Sequence, residues 1–414
     1  MKKYLYSLVA VLFSFAFLGE TVAAADFSVA AKEAIVVEVS MGKVLYEQDA
    51  SKPTYIASIT KLLTIYLVYE AIEKGEISLD TAVEISDYPY QLTVDRLVSN
   101  VNLDARNYTV SELLDATTIS SANSAAIALA EKISGSESAF VDRMKSKLKE
   151  WGITDATLVN ATGLNNEFLG DKIYPGSEKN DENKLSAHDV AFIARRLLLD
   201  YPQVLERTSQ ANYTFSGITY ANTNQMLVGG AFERAGVDGL KTGTTELAGA
   251  SFVGTTNENG MRIITVILGA TDGEEFPENR FVATNQLMTY AYDHFELTNF
   301  VEAGQTSPGS SIHLFNGREE TAPVVARNKM TVVRRKNRQT ELTANFKATQ
   351  EIFDAPIAST TAVGTLTFND DDLVGSGYLG EVPHVEMITA EKIETAIWPI
   401  SWWNHFVRYA NEKL

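Results

Sequence analysis

The sequence predicts a mixed α/β protein with a central antiparallel sheet, an inserted helical subdomain, a small all-β sandwich-like domain and a terminal amphipathic helix. Three observations indicate this order. Strand-like stretches near the start and in the middle of the chain flank a long helical region. Short strands then follow one another without helices, and the last residues show helical spacing of apolar side chains. The length of 414 residues is also too great for one ordinary domain.

The first half of the chain predicts a short hairpin followed by three helices. The expected elements are strands at 34–39 and 43–47 and helices at 58–72, 110–132 and 187–199. The first helix is nearly uncharged, so we expect it to be buried. The second is expected to break near Ser120-Ser121, and the segment 160–181, rich in Gly, Asn and Asp, is expected to be mostly loop.

The second half predicts strands first and a helical tail last. Strands are expected at 250–256 and 261–270 around a turn, followed by a helix at 277–295. These strands and the two at the start of the chain are expected to build one sheet, with the helical subdomain inserted between them. Short strands such as 331–335, 341–346 and 363–368 predict a separate β-rich domain. The tail is expected to be helical from Glu386, with Pro399 as a break. We therefore divide the chain into residues 1–25, 26–297, 298–385 and 386–414.

The N-terminus has the features of a secretory signal peptide. Lys2 and Lys3 precede an apolar run at 5–18, and small residues follow at 23–25. The run is short for a membrane span, which needs about 20 apolar residues. This pattern predicts that residues 1–25 are removed and that the mature protein is exported.

Composition excludes several kinds of function. The net charge is −18, from 35 basic and 53 acidic residues, so phosphate repulsion argues against nucleic acid as a partner. The chain has no cysteine, which excludes disulfides and thiolate chemistry. Its five histidines are scattered, without metal-ligand spacing, so we expect neither a metal nor a cofactor. Gly375 to Gly380 and Asp370 to Asp372 are interpreted as turns, the acidic run being solvated.

Ser58-Ile59-Thr60-Lys61 is the candidate nucleophile motif. A lysine one helical turn from a serine can act as its base when burial or a neighbouring cation disfavours the ammonium. The same spacing occurs at Ser40 with Lys43 and at Ser146 with Lys149. Only Ser58 opens a strongly apolar helix, where a lysine would be buried and where the free N–H groups of the first turn favour a developing negative charge.

Two further motifs follow in order, and each occurs once in the chain. They are Ser121-Ala122-Asn123, at the expected break between helices, and Lys241-Thr242-Gly243-Thr244, in the strand before the hairpin. The set Ser-x-x-Lys, Ser-x-Asn, Lys-Thr-Gly is that of penicillin-binding proteins and serine β-lactamases. From about residue 26 to its end, the sequence resembles the low-molecular-mass penicillin-binding proteins of the D,D-carboxypeptidase family. Segments 160–164 and 222–224 also resemble this family, whereas Ala122 stands where many relatives carry glycine.

The resemblance implies a β-lactamase/D,D-peptidase-like fold and a role for each matched residue. Ser58 would attack the carbonyl carbon of the penultimate D-alanine and form an acyl-enzyme. Lys61 would take the proton of Ser58, and Ser121, helped by Lys241, would relay a proton to the leaving amine. Asn123 would hydrogen-bond the peptide backbone of the substrate.

The resemblance also implies how the third motif binds substrate. Lys241, Thr242 and Thr244 would lie near the terminal carboxylate, with Lys241 supplying positive charge. The backbone N–H groups of Ser58 and Thr244 would form the oxyanion hole. Gly243 would lack a side chain because the substrate lies against its strand.

The implied function is a serine-type D-alanyl-D-alanine carboxypeptidase that trims peptidoglycan stem pentapeptides and is acylated by penicillin and other β-lactams. One alternative is a class A-like β-lactamase, which carries Glu-x-x-Leu-Asn after Ser-x-Asn. Here residues 155–166 hold no glutamate, and Glu167 is followed by Phe-Leu-Gly. The other alternative is a receptor or scaffold that is acylated without turnover. It is less favoured because every proposed catalytic residue is present.

The C-terminal residues predict an amphipathic helix that lies in a membrane interface. Apolar side chains recur at helical spacing at Trp402, Trp403, Phe406, Val407, Ala410 and Leu414. No apolar run is long enough to cross a bilayer, and tryptophan suits interfacial depth. Together with the signal peptide, this places the protein at the outer face of the cytoplasmic membrane. The alternative is a helix docked on its own β-domain.

Overall fold

The structure is a computed structural model that describes residues 27–95, 97–336 and 342–413. The signal peptide expected at residues 1–25 lies outside the described residues.

The strands and helices of the described residues follow the predicted order. The strands are β1 (Ala31–Glu38), β2 (Val44–Gln48), β3 (Thr54–Tyr55), β4 (Ala82–Glu84), β5 (Asn107–Thr109), β6 (Lys184–Leu185), β7 (Asn212–Phe215), β8 (Ile218–Ala221), β9 (Val237–Thr245), β10 (Gly249–Glu258), β11 (Met261–Ala270), β12 (Phe295–Val301), β13 (Ser311–Phe315), β14 (Thr321–Ala326), β15 (Met330–Arg335), β16 (Ala344–Ala348), β17 (Ile352–Asp354), β18 (Ala362–Phe368) and β19 (Val385–Thr389). The helices are α1 (Lys61–Glu73), α2 (Asp87–Asp95), α3 (Val110–Thr118), α4 (Asn123–Ser134), α5 (Glu137–Glu150), α6 (Ala187–Asp200), α7 (Val204–Thr208), α8 (Asn279–His294) and α9 (Trp398–Lys413), with 3₁₀ turns at Ala57–Thr60 and Asn166–Leu169.

The central sheet is antiparallel and is built from both ends of the first domain, as predicted. Its five strands lie in the order β2-β1-β11-β10-β9. Val37 of β1 lies opposite Ile264 of β11, so residues far apart in sequence form the centre of the sheet. The Lys-Thr-Gly strand β9 pairs with β10 and forms the edge of the sheet.

The two faces of this sheet belong to two hydrophobic cores. Because side chains alternate along a strand, Val36 and Val37 point to opposite faces. Val37 joins the core made with α1 and α6, whereas Val36 joins the core made with α8 and the β-domain. Helix α1 is buried along almost its whole length, and all but three of its 13 residues are uncharged.

Two local departures from regular helix place serines at the cleft. The helix expected from Ser58 begins as a 3₁₀ turn, and the α-helix starts only at Lys61; the expectation that Ser58 lies in the first α-helical turn is therefore wrong. The preceding residue, Ala57, has a φ of +48°, which prevents continuous helix. The break expected near Ser120-Ser121 is confirmed, and Ser121 has a φ of +61°.

The C-terminal β-domain extends further than the sequence indicates. A six-stranded sheet, β16-β18-β19-β14-β13-β17, packs with the two-stranded sheet β12-β15 around a shared core. The helix expected from Glu386 is wrong because 385–389 forms strand β19, whose side chains at Val385, Met387 and Thr389 alternate into the core. Helix α9 begins at Trp398. Pro399 therefore lies in its first turn, where the missing N–H costs no hydrogen bond, instead of breaking it.

The acidic run at residues 370–372 connects the two domains. Nζ of Lys43, a side chain with only 1 % exposure, lies 2.7 Å from Oδ2 of Asp370. Tyr378 donates a hydrogen bond to the same oxygen. The interpretation of this run as a solvated turn is wrong, because a buried lysine needs a counter-charge. The Gly375–Gly380 segment is a turn region, and its Gly377 carbonyl accepts a hydrogen bond from Val44 N–H.

Candidate active site

The three motifs meet in one cleft. The 3₁₀ turn at 57–60, the start of α4 and the edge strand β9 supply its walls. A cavity of about 430 Å³ is lined by Ser58, Ser121, Thr242, Gly243 and Thr244. A second cavity of about 610 Å³ continues from Ser58 and Thr244 past Asn123. Ser58 therefore lies where the two cavities join, accessible from both.

Lys61 lies beneath Ser58 and is fully buried. Its Nζ is 2.9 Å from Oγ of Ser58, and it donates to Oδ1 of Asn123 at 2.7 Å and to the carbonyl of Thr162 at 2.8 Å. Burial lowers the pKa of Lys61 well below its usual value, and the nearby charge of Lys241 lowers it further, as the sequence predicts. A neutral lysine keeps a lone pair that can accept the hydroxyl proton of Ser58.

The loop 160–164 holds the third acceptor of Lys61 in place. Oδ1 of Asn160 accepts hydrogen bonds from the N–H groups of Thr162 and Gly163, at 3.1 and 2.7 Å. Gly163 has a φ of +81°, and a Cβ there would lie 1.7 Å from the carbonyl oxygen of Ala57. Only glycine therefore lets this loop reach the turn that carries Ser58.

The second motif places Ser121 in the first cavity, and its Asn123 contacts Lys61. Ser121 lines the same cavity as Ser58. The side-chain amide of Asn123 bonds to Lys61 through Oδ1 and donates through Nδ2 to the carbonyl of Ser99 at 2.9 Å. Nδ2 has a second hydrogen, which is the one available for the substrate contact expected from the sequence.

The third motif brings a buried cation to the cleft. Lys241 has 1 % exposure and donates to the carbonyl of Thr242 at 3.1 Å. Burial lowers the pKa of Lys241 to about 7, with a further contribution from the charge of Arg280. The hydroxyl of Thr242 donates to that of Thr223 at 2.8 Å, which joins the 222–224 segment to the strand.

Gly243 lacks a side chain for a reason that the sequence does not reveal. A Cβ at this position would lie 2.8 Å from the carbonyl oxygen of Ile56 and 3.2 Å from the N–H nitrogen of Ile59. The strand thus packs directly on the backbone of the turn that carries Ser58. The protein itself occupies the space that a side chain would need, and the expectation that the substrate lies against this strand stays a prediction.

Arg280 is a cleft residue that sequence reasoning missed. It lies in the first turn of α8, and its Nη1 donates to the hydroxyl of Thr244 at 2.8 Å and to the carbonyls of Gly243 at 3.0 Å and Ser251 at 3.3 Å. Burial lowers the pKa of Arg280 to about 10, despite the opposing charge of Glu278. The feature of the sequence that could have indicated Arg280 is its position directly before the apolar pair Phe281-Val282.

The two other Ser-x-x-Lys tetrads are used structurally. Oγ of Ser40 donates to Glu38 at 2.6 Å in the β1–β2 turn, and Lys43 holds the domain contact described above. Oγ of Ser146 donates to the carbonyl of Asp142 within α5. The selection of Ser58 from its apolar helix therefore agrees with the geometry.

Helix α9 has one docked side and one exposed aromatic side. Arg408 pairs with Asp354 at 2.9 Å, and Asn316 donates to Ser401 at 2.9 Å. The exposed large side chains of the helix are Trp398, Ile400, Trp402, Trp403, Phe406, Val407 and Tyr409. Within the described residues, no helix combines the length and apolarity that crossing a membrane requires.

Both domains of the chain are similar to known proteins. The model of the D-alanyl-D-alanine carboxypeptidase family matches residues 20–272, and that of the penicillin-binding protein 5 C-terminal domain matches residues 295–395. The chain is similar to the structure of a peptidoglycan synthesis regulatory factor (PBP3) from Streptococcus pneumoniae, with 54% identity and a TM-score of 0.84, covering 89% of this chain and 100% of that one. D-alanyl-D-alanine carboxypeptidase DacF of Bacillus subtilis is 27% identical, over 82% of each chain. Penicillin-binding protein D2 from Listeria monocytogenes, in its ampicillin-bound form, is 31% identical, covering 64% of this chain and 99% of that one, with a TM-score of 0.53.

Proposed function

Since the chain belongs to the D-alanyl-D-alanine carboxypeptidase family and is a serine-type peptidase, we propose that Ser58 is its nucleophile and Lys61 its general base. The observation that carries the proposal is the 2.9 Å approach of a fully buried lysine to a half-buried, accessible serine. Burial and the charge of Lys241 lower the pKa of Lys61, so its ammonium loses a proton more readily than that of an ordinary lysine, and the free amine can accept the proton of Ser58. The substrate would be a peptidoglycan stem peptide ending in D-Ala-D-Ala.

The first half of the reaction is acylation. Lys61 accepts the hydroxyl proton as Oγ of Ser58 bonds to the carbonyl carbon of the penultimate D-alanine. The backbone N–H groups of Ser58 and Thr244 stabilise the resulting oxyanion, and each such donor contributes about 3 kcal/mol. The C–N bond then breaks as Ser121 donates its hydroxyl proton to the leaving amine of the terminal D-alanine and takes up the proton that Lys61 received, so that both residues return to their starting protonation states. Water hydrolyses the remaining ester.

Recognition of the terminal carboxylate falls to the cations beside β9. Lys241 lies in this strand, and Arg280 reaches it from α8. The hydroxyls of Thr242 and Thr244 complete a site with hydrogen-bond donors and positive charge, which is what a carboxylate requires. Asn123 is the proposed contact for the backbone of the stem peptide.

Penicillin labelling tests the nucleophile. Ser58→Ala is expected to abolish both the release of D-alanine from a D-Ala-D-Ala peptide and covalent labelling by penicillin, because both reactions need the same oxygen. Ser40→Ala, in a tetrad of identical spacing, is the matched control and should retain both. A mass-spectrometric adduct on any serine other than Ser58 would refute the assignment.

Steady-state turnover separates this function from its alternatives. A carboxypeptidase releases D-alanine repeatedly and loses bound penicillin slowly. A β-lactamase would hydrolyse penicillin in many turnovers, and a receptor would be acylated once without releasing D-alanine repeatedly. The proposal requires catalytic release of D-alanine by the wild-type protein.

We also propose that residues 1–25 direct export and that α9 holds the enzyme at the outer face of the cytoplasmic membrane. The support is the aromatic side of α9, where Trp402 is 58% and Phe406 is 48% exposed, opposite the polar contacts to the β-domain. Truncation after Ile397 removes the helix but keeps β19, and it is expected to abolish binding to anionic liposomes. Replacing Trp402 and Phe406 by serine should weaken binding without unfolding. If the truncated protein binds liposomes as well as the full mature chain does, α9 is not the membrane anchor.

A further inference from the structure

Glu137 is a buried carboxylic acid that the motifs do not include. It is the first residue of α5, follows the N-cap Ser136 and has 6% exposure. Oε2 accepts a hydrogen bond from the hydroxyl of Tyr88 at 2.7 Å, and Oε1 accepts one from the N–H of Ala161 at 2.9 Å. Both partners are neutral, so neither explains why an acid is buried here.

The contact with Ala161 leads directly to the general base. The carbonyl of Ala161 accepts a hydrogen bond from the hydroxyl of Thr64 at 2.7 Å, and the next carbonyl, that of Thr162, accepts from Lys61 at 2.8 Å. Glu137 therefore fixes the Asn160-Ala161 peptide, two peptide units before the carbonyl of Thr162 that Lys61 contacts. Without its carboxyl group, the buried N–H of Ala161 would lose its partner, and such losses are costly.

The charge of Glu137 also acts on Lys61. Burial raises the pKa of Glu137 to about 7, and the charge of Glu131 raises it, whereas Tyr88, Ala161 and Lys61 lower it. The groups that act on Lys61 are Lys241, which lowers its pKa, and Glu137, which raises it. An ionised Glu137 thus favours the ammonium form of Lys61, and a protonated Glu137 favours the free amine.

We propose that Glu137 is a positioning residue for this reaction: it orients Lys61 through the Ala161-Thr162 peptide and, by its charge, sets how readily that lysine accepts the proton of Ser58. The inference rests on the proposed function. It is distinct from the three motifs, because Glu137 touches neither Ser58 nor the cavities that it lines.

Two substitutions separate orientation from charge. Glu137→Gln keeps the shape and the oxygen that Ala161 needs but removes the charge. Its penicillin acylation rate, measured from pH 5 to 10, should show an acidic limb moved down by about one pH unit, since the ammonium form of Lys61 loses a nearby opposite charge. Glu137→Ala removes both features and should lower the rate on the order of tenfold or more at every pH. Glu150→Gln, at the other end of α5, is the matched control and should keep the wild-type profile.

An unchanged acidic limb in folded Glu137→Gln overturns the role of charge, and a wild-type rate in Glu137→Ala overturns the role in orientation. Thermal unfolding identifies a variant that fails to fold; the nearly isosteric Glu137→Gln still tests the inference if Glu137→Ala does not fold. Mass spectrometry of each adduct should show Ser58 labelled throughout. A wild-type protein not labelled at Ser58 would refute the proposed function instead.

Discussion

Substitution of Gly243 tests how closely the edge strand must approach the turn that carries Ser58. A Cβ in Gly243→Ala would lie 2.8 Å from the carbonyl oxygen of Ile56 and 3.0 Å from Cγ1 of Ile59. Ordinary contacts begin at about 3.4 Å, so the strand and the turn must separate by roughly 0.6 Å. The backbone φ at Gly243 is ordinary, so alanine introduces crowding without torsional strain.

The expected loss of acylation rate depends on which part of the backbone alanine would displace. The displaced backbone belongs to the turn that carries Ser58 and aligns it with Thr244. Misplacement by about 1 Å can slow an enzyme about 100-fold, so a shift of about half that size should slow acylation about tenfold. Overpacking should also lower the free energy of unfolding by about 1–3 kcal/mol.

The assay compares acylation and stability in Gly243→Ala and Gly254→Ala. Gly254 lies in the neighbouring strand β10, and a Cβ there would lie 2.9 Å from the ring of Phe252 and 3.0 Å from Cε of Met288, both of them side chains. This control should lose stability while acylating at close to the wild-type rate. If Gly243→Ala is destabilised but is labelled by penicillin as fast as the wild type, the geometric reasoning is refuted.

Two further predictions concern the cations of the cleft. Arg280→Gln should lower kcat/KM for a D-Ala-D-Ala peptide about tenfold to 100-fold through the loss of charged hydrogen bonds, and should affect the C-terminally amidated peptide much less; equal losses for both peptides would exclude carboxylate recognition. For Lys241, burial lowers the folded pKa to about 7 from 10.5, so between these values the unfolded chain binds more protons and wild-type stability rises with pH. We therefore expect Lys241→Met to have a higher free energy of unfolding than the wild type, with the largest difference at or below pH 7 and a smaller one towards pH 10. Denaturant titration measures this difference, and a difference that does not change with pH would contradict the lowered pKa of Lys241.

The sequence predicts most of the elements because their signals are local. The apolar run after Ser58, the hairpin around Gly260 and the break before Asn123 each appear where expected. The three motifs were also predicted to share one site, and each of them contributes residues to one pair of cavities, whereas Lys61 and Lys241 are buried behind the lining. The roles of these residues stay predictions until the variants are measured.

Predictions from the sequence are wrong where contacts between residues distant in the chain determine the structure. Residues 385–389 show apolar spacing compatible with a helix, but pairing with β14 and β18 makes them a strand. Asp370 has the local features of a solvated turn, but the buried Lys43 pairs with it from the other domain. Arg280 and Glu137 lie outside any motif, because their importance depends on partners that only the fold brings near.

The order of strands in the central sheet has a consequence for biogenesis. Strand β1 is made early, but its partner β11 and the edge strand β9 are made after the whole helical subdomain. A hairpin of β1 and β2 alone is marginally stable, and pairing between residues distant in sequence is slow. A growing chain thus carries Ser58 during the synthesis of the next 183 residues without the Lys-Thr-Gly strand that completes the cleft. We therefore expect peptide hydrolysis only from chains in which the first domain is complete.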